Sequence, residues 1–178
     1  MPRAARFEGF VRDHQHMVFA TAVRLLGRVA DAEAVTQDVF LRAYQHFEAI
    51  ADSPSAAGWL RTVARNACLT HLARHRSRWH LFSELPRDDD GDDDETSVLG
   101  VLAQAPESRH DEEAQARRLE AALRRLPDAQ RVPLVLFHFE GVSDRDIAGM
   151  LGVPLGKVKT DMHRGREALK RELIHEPR

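Results

Sequence analysis

The sequence has a single cysteine, Cys68, so no internal disulfide can form and nothing in the chain calls for an oxidising compartment. It has no apolar run of membrane-spanning length and no leader-like apolar stretch near the N-terminus, so a soluble protein is expected and a reducing cytoplasm fits. The signatures of common catalytic sites are missing as well: there is no nucleophile elbow and no glycine-rich phosphate loop. His71 and His75 are the one histidine pair at i,i+4 spacing, and no glutamate of an HExxH motif lies between them. A shared metal is one reading of the pair, and a surface or capping role is the plainer one. No catalytic residue, metal or cofactor is therefore expected. Strand-like alternation and internal repeats are missing too, which leaves an all-α chain. With 178 residues, that chain is long enough for one domain or two small ones.

Charge of one sign is lacking only on average. The net charge of -2 would argue against a nucleic-acid binder, yet the charges are segregated. Met1 to His80 carries about four excess positive charges, Leu81 to Ala116 about ten excess negative ones, and Arg117 to the C-terminus about four positive again. The acidic block holds Pro86, Gly91, Gly100 and Pro106, has no helical period, and carries a self-repelling aspartate run. It reads as a flexible linker. Asp88 to Asp94 lacks calcium-loop spacing, so a solvated charge run is the better reading there. The expected organisation is two small helical domains, residues 1–80 and 114–178, joined by an acidic tether over 81–113.

In the first domain, Phe7, Phe10, Val11, His14, Val18, Ala22 and Leu25 or Leu26 recur at helical spacing up to Gly27. Asp31 can cap a second helix carrying Ala32, Val35, Val39, Phe40, Ala43 and Phe47, with Glu33, Gln37, Asp38 and Arg42 on other faces. After ADSPSAAG, Ser53 or Ser55 can cap a third helix bearing Trp59, Leu60, Val63, Ala64, Ala67, Leu69 and Leu72. It ends in the basic run Arg74, His75, Arg76, Arg78 and Trp79, and basic residues there also suit a helix C-terminus. In the second domain, Leu119, Ala122, Leu123 and Leu126 make a stripe that Pro127 breaks. Val132, Leu134, Val135, Phe137 and Phe139 belong to the next helix.

The segment from Glu140 to Arg171 carries the most information. Ser143 can cap a helix with Asp146 at the capping-box position, and Val142 and Ile147 form a hydrophobic staple. Gly152 allows a tight turn, and Pro154 suits the first turn of another helix. There Leu155, Val158, Met162, Leu169 and Leu173 keep three-to-four spacing, which turns Lys157, Lys159, Thr160, His163, Arg164 and Arg166 toward other faces. This is a helix-turn-helix pattern with a basic second helix. Lys and Arg can pair with phosphates or guanine edges, and Thr160 and His163 are short enough to read bases in the major groove. A solvated basic surface helix is the competing reading.

Taken together the segments resemble the extracytoplasmic-function sigma factors, minimal sigma subunits of bacterial RNA polymerase. DAEAVTQDVFLRAYQHF is similar to the family's polymerase-clamp-binding helix, GWLRTVARNACLTHLARHRSR to its promoter-melting helix, and LRRLPDAQ through ALKREL to its minus-35-reading domain. The resemblance implies that Asp31, Glu33, Gln37, Asp38 and Phe40 dock on the β′ clamp of core polymerase. It implies that Asn66 and the loop holding Ser53 and Ser55 capture a flipped base of the minus-10 strand, with Trp59, Arg61 and Arg65 on the same helix. It also implies an acidic connector passing through the polymerase active-site cleft and RNA exit path, contact with the β subunits of core polymerase, and a regulator such as an anti-sigma factor. An ordinary helix-turn-helix regulator would leave the Trp59-to-Asn66 helix without a role, and an enzyme is the remaining alternative.

Two positions depart from the family pattern. Ala34 stands where an acid is usual, so one clamp contact is missing. A phosphate on Thr36, Ser53 or Ser55 would also supply that charge. Asp161 stands where Arg is common, and an acid there is unfavourable near phosphates unless it turns toward Lys157 or Arg164.

Overall fold

A computed structural model of the chain describes residues 2–75 and 109–175. Among the described residues all regular structure is α-helical. The chain divides into two compact units, Met1–Arg78 and Trp79–Arg178.

The first unit is built from α1 (Arg3–Leu26), α2 (Val29–Gln45), the short α3 (Phe47–Ile50) and α4 (Ala56–His75). α1, α2 and α4 pack against one another in all three pairings. Their apolar stripes meet at Val18, Ala22, Leu25 and Leu26 of α1, Val35 and Val39 of α2, and Leu60, Ala64 and Leu72 of α4. Cys68 is buried in the same core. Gly27 ends α1 in the left-handed region at φ 70°, with its N–H bonded to Val23 O, a conformation open to glycine at little cost. Phe7, Phe10, Tyr44 and Phe47 form an aromatic cluster, with Phe7 edge-on to Tyr44 at 4.9 Å and to Phe47 at 5.1 Å.

Two expected details differ here. α2 begins at Val29, so Asp31 lies inside its first turn instead of capping it, still at the end where the helix dipole favours an acid. The periodic run through Phe47 is broken at His46, whose ψ of 10° ends the helix and starts α3. Before α4, the Ser53 hydroxyl accepts from the Ser55 N–H at 3.3 Å, and the Ser55 carbonyl takes the Trp59 N–H at 2.9 Å.

The second unit comprises α5 (Arg109–Arg125), α6 (Asp128–His138), α7 (Asp144–Leu151) and α8 (Leu155–His175). α5 starts within the stretch read as connector. α8 packs on each of the other three helices. Residues 131–136 of α6 are buried on every side, as expected for a central helix. Phe139 is the residue that ends α6. Arg131 is among these buried residues: its guanidinium donates to the Leu126 carbonyl at 2.7 Å and pairs with Asp128, which closes the corner between α5 and α6. Burial lowers its pKa to about 10, so it remains charged at neutral pH. Gly165 lets α8 approach α6 closely, because a Cβ there would lie 2.5 Å from Leu134 Cδ1.

Candidate nucleic-acid interface

The helix-turn-helix forms as its residues dictate. Ser143 Oγ accepts from the Asp146 N–H at 3.2 Å and donates to the Asp146 carboxylate at 2.7 Å. Asp146 therefore engages the cap residue through the Ser143 hydroxyl, because the aspartate side chain is shorter than the glutamate of a full capping box. Val142 and Ile147 are both buried as the staple requires. Gly152 turns the chain at φ 66°. Pro154 stands just before α8 instead of within its first turn, and its carbonyl accepts from Lys157 N–H at 3.1 Å.

On α8 the buried stripe is Val158, Met162 and Leu169, joined by Gly165 and Arg166. The exposed side carries Lys159, His163 and Arg164. Thr160 is half-buried at its edge, with its hydroxyl donating to the Gly156 carbonyl at 2.9 Å. Two of the six expected DNA contacts are placed differently. Arg166 is only 6% exposed, since it lies four residues after Met162 and three before Leu169 and so shares their face. Lys157 is half-buried and donates to Asp161 at 2.8 Å. Asp161 has thus turned from the exposed face toward Lys157, one of the two partners its spacing offered.

In the first unit, Glu33, Ala34, Gln37 and Asp38 are exposed along one side of α2. Asp31 is half-buried, 3.8 Å from His71 Nε2 of α4 and 4.0 Å from Arg28. The His71 and His75 rings are in contact, with centroids 4.3 Å apart and planes tilted by 34°. Phe40 is 8% exposed and sits in the core, so it supports this face from beneath. The exposed face instead carries two apolar side chains that the sequence reading did not single out, Leu41 at 65% exposure and Tyr44 at 42%. Leu41 was findable: it lies between the buried positions Val39, Phe40 and Ala43 and must point outward. The Thr36 hydroxyl is buried without a hydrogen-bond partner, so it offers no accessible oxygen for phosphorylation.

On α4, Arg61 and Asn66 are exposed, while Trp59 and Arg65 are half-buried. Trp59 meets His46 edge-on at 6.0 Å, so it is neither fully in the core nor a free platform. In the preceding loop, Ser53 is half-buried and Ser55 exposed, with their hydroxyls 2.8 Å apart. Asp52 is tied back to Arg6 of α1 at 3.2 Å. Arg76, Arg78 and Trp79, and the acidic run from Asp88 to Asp94, lie outside the described residues.

These features define a helical protein of two units, one of which carries a helix-turn-helix with a basic outer face. The Sigma-70 region 2 family matches residues 10–78, and the Sigma-70 region 4 family matches residues 116–169. The chain is 33% identical to the ECF RNA polymerase sigma factor SigL of Mycobacterium tuberculosis, covering 94% of this chain and 88% of that one. It is 30% identical to the RNA polymerase sigma-E factor of Streptomyces coelicolor, covering 98% and 89%. To the ECF RNA polymerase sigma factor SigW of Bacillus subtilis it is 27% identical, covering 94% and 88%.

The chain belongs to the extracytoplasmic-function sigma factors. It is an alternative sigma factor directing transcription initiation, and its family consists of initiation factors, not enzymes. Among the described residues, no helix is long and apolar enough to cross a membrane.

Proposed function

We propose that the second unit reads the minus-35 element through the outer face of α8, with Lys159, His163 and Arg164 in contact and Thr160 at the margin. Arg166 and Lys157 support that face from within. The first unit docks on the polymerase β′ clamp through Glu33, Gln37 and Asp38, with Asp31 at the start of the helix and with Leu41 and Tyr44 as apolar anchors. Arg61, Arg65, Asn66 and the loop at Ser53 and Ser55 face the unpaired minus-10 strand. The protein works in the cytoplasm with core polymerase, and a regulator of the anti-sigma kind masks one or both units.

The observation that carries this reading is the isolation of three basic side chains on one exposed side of the second helix, which a glycine turn joins to a capped first helix. Such a helix lies in the major groove with its cations on phosphates and base edges. Lys159→Ala and Arg164→Ala are each expected to weaken binding of the holoenzyme to its promoter and to flatten the salt dependence by about 0.9 in log–log slope, the loss of one phosphate contact. Unchanged affinity and slope in both variants would remove this face from DNA.

A further inference from the structure

We propose that Asp161 is a built-in counter-anion that withholds Lys157 from DNA and thereby sets the strength and salt dependence of the α8 contact. This rests on α8 being the recognition helix. Lys157 is the third residue of α8, in the turn that enters the groove first in helix-turn-helix docking. A cation at that end is opposed by the helix dipole, and lysine preceding its acid by four residues is the weaker order for such a pair. The pair forms regardless, at 2.8 Å, with side chains only 20% and 13% exposed.

Burial explains why. Asp161 precedes Met162 on the edge of the packed stripe and retains 9% of its accessible surface. A carboxylate withdrawn from water that far needs a partner, and Lys157, one turn earlier, supplies it. Were Lys157 to leave for a phosphate, Asp161 would remain shielded without that bond, close to the DNA backbone that repels it. Lys159, His163 and Arg164 are under no such constraint, since all three are exposed. The acid at position 161 thus subtracts one cation from the DNA-facing set instead of adding a reader to it.

The test is to titrate the full chain against a labelled mixed-sequence duplex by fluorescence anisotropy, between about 50 and 200 mM salt. Asp161→Asn should steepen the log–log salt slope by about 0.9, which makes the ratio of affinities at the two salt limits about 3.5-fold larger. The double variant Lys157→Gln/Asp161→Asn, which carries neither charge of the pair, should return to the wild-type slope. An Asp161→Asn slope equal to wild type would overturn the inference, as would a steepening that survives in the double variant. Should Asp161→Asn fail to fold by circular dichroism, Asp161→Ala and its double variant with Lys157→Gln take their place. Arg164→Ala serves as the reference: if it does not flatten the slope, the recognition-helix reading fails and takes this inference with it. If it does flatten while Asp161→Asn leaves the slope unchanged, only the inference fails.

Discussion

Gly165 and Arg131 show how much the second unit depends on single residues. At Gly165 a methyl group would meet Leu134 Cδ1 at 2.5 Å and Gln130 Cβ at 3.3 Å. Leu134 is itself buried and has little room to yield. Gly165→Ala should therefore destabilise the fold by about 1–3 kcal/mol, the usual cost of overpacking a close contact, read as a lower midpoint in urea. A midpoint equal to wild type would mean that α8 and α6 are free to separate. Arg131→Met keeps an apolar stem but removes the guanidinium from the Leu126 carbonyl and from Asp128. Asp128 is 25% exposed and can recover water, so a loss of about 1–3 kcal/mol is expected, most of it from the unpaired carbonyl. At this scale some features were legible and some were not. Ser143 and Gly152 follow from spacing alone, because caps and turns are local, whereas spacing left Asp161 two partners and packing decided for Lys157. The burial of Arg166 was missed because its charge suggests water, although its position relative to Met162 and Leu169 assigns it to the packed face. Its long stem lets a basic residue occupy an apolar stripe.

The second helix, α2, is where the departures from family pattern bear on function. Ala34, Gln37, Asp38 and Leu41 share its exposed side. An acid at position 34 would join Glu33 and Asp38, so Ala34→Asp is expected to raise affinity for core polymerase by about 0.2–1 kcal/mol, roughly 1.4- to fivefold, the range of an exposed ion pair. No change in affinity would mean that the existing acids suffice for docking. Leu41 is a stronger lever. It is 65% exposed, so Leu41→Ser should leave the unfolding midpoint nearly unchanged. It should weaken polymerase binding by about 1.5–3 kcal/mol if the leucine is buried in the complex. Loss of stability with unchanged binding would assign Leu41 to the fold instead. The apolar period of α2 was readable, and with it the core positions. Its first residue was not, because Val29 and Ala30 send no start signal and Asp31 offers a false one. The ends of helices are set by small local free energies that the apolar period does not encode.

For the whole molecule, the two helical units and their family were legible because three segments occur in order, each with its own periodicity. Residue-level roles were less so, because a face is fixed by what packs behind it. Phe40 resembles a docking residue by motif and is a core residue by packing. The division of labour between units is open to separation by mutation. Asn66→Ala should leave binding to duplex minus-35 DNA intact and reduce promoter opening, since Asn66 is exposed on α4 in the other unit. Equal losses in both would refute that division.

The proposed function requires this chain to make core polymerase initiate at specific promoters through both units. The most direct measurement is in vitro transcription of genomic fragments from the source organism by core polymerase with and without the purified chain, followed by sequencing of RNA 5′ ends. New 5′ ends are expected downstream of one shared two-part motif, reduced by both Asn66→Ala and Arg164→Ala. Transcripts no more numerous or more ordered than with core polymerase alone would contradict the proposed function.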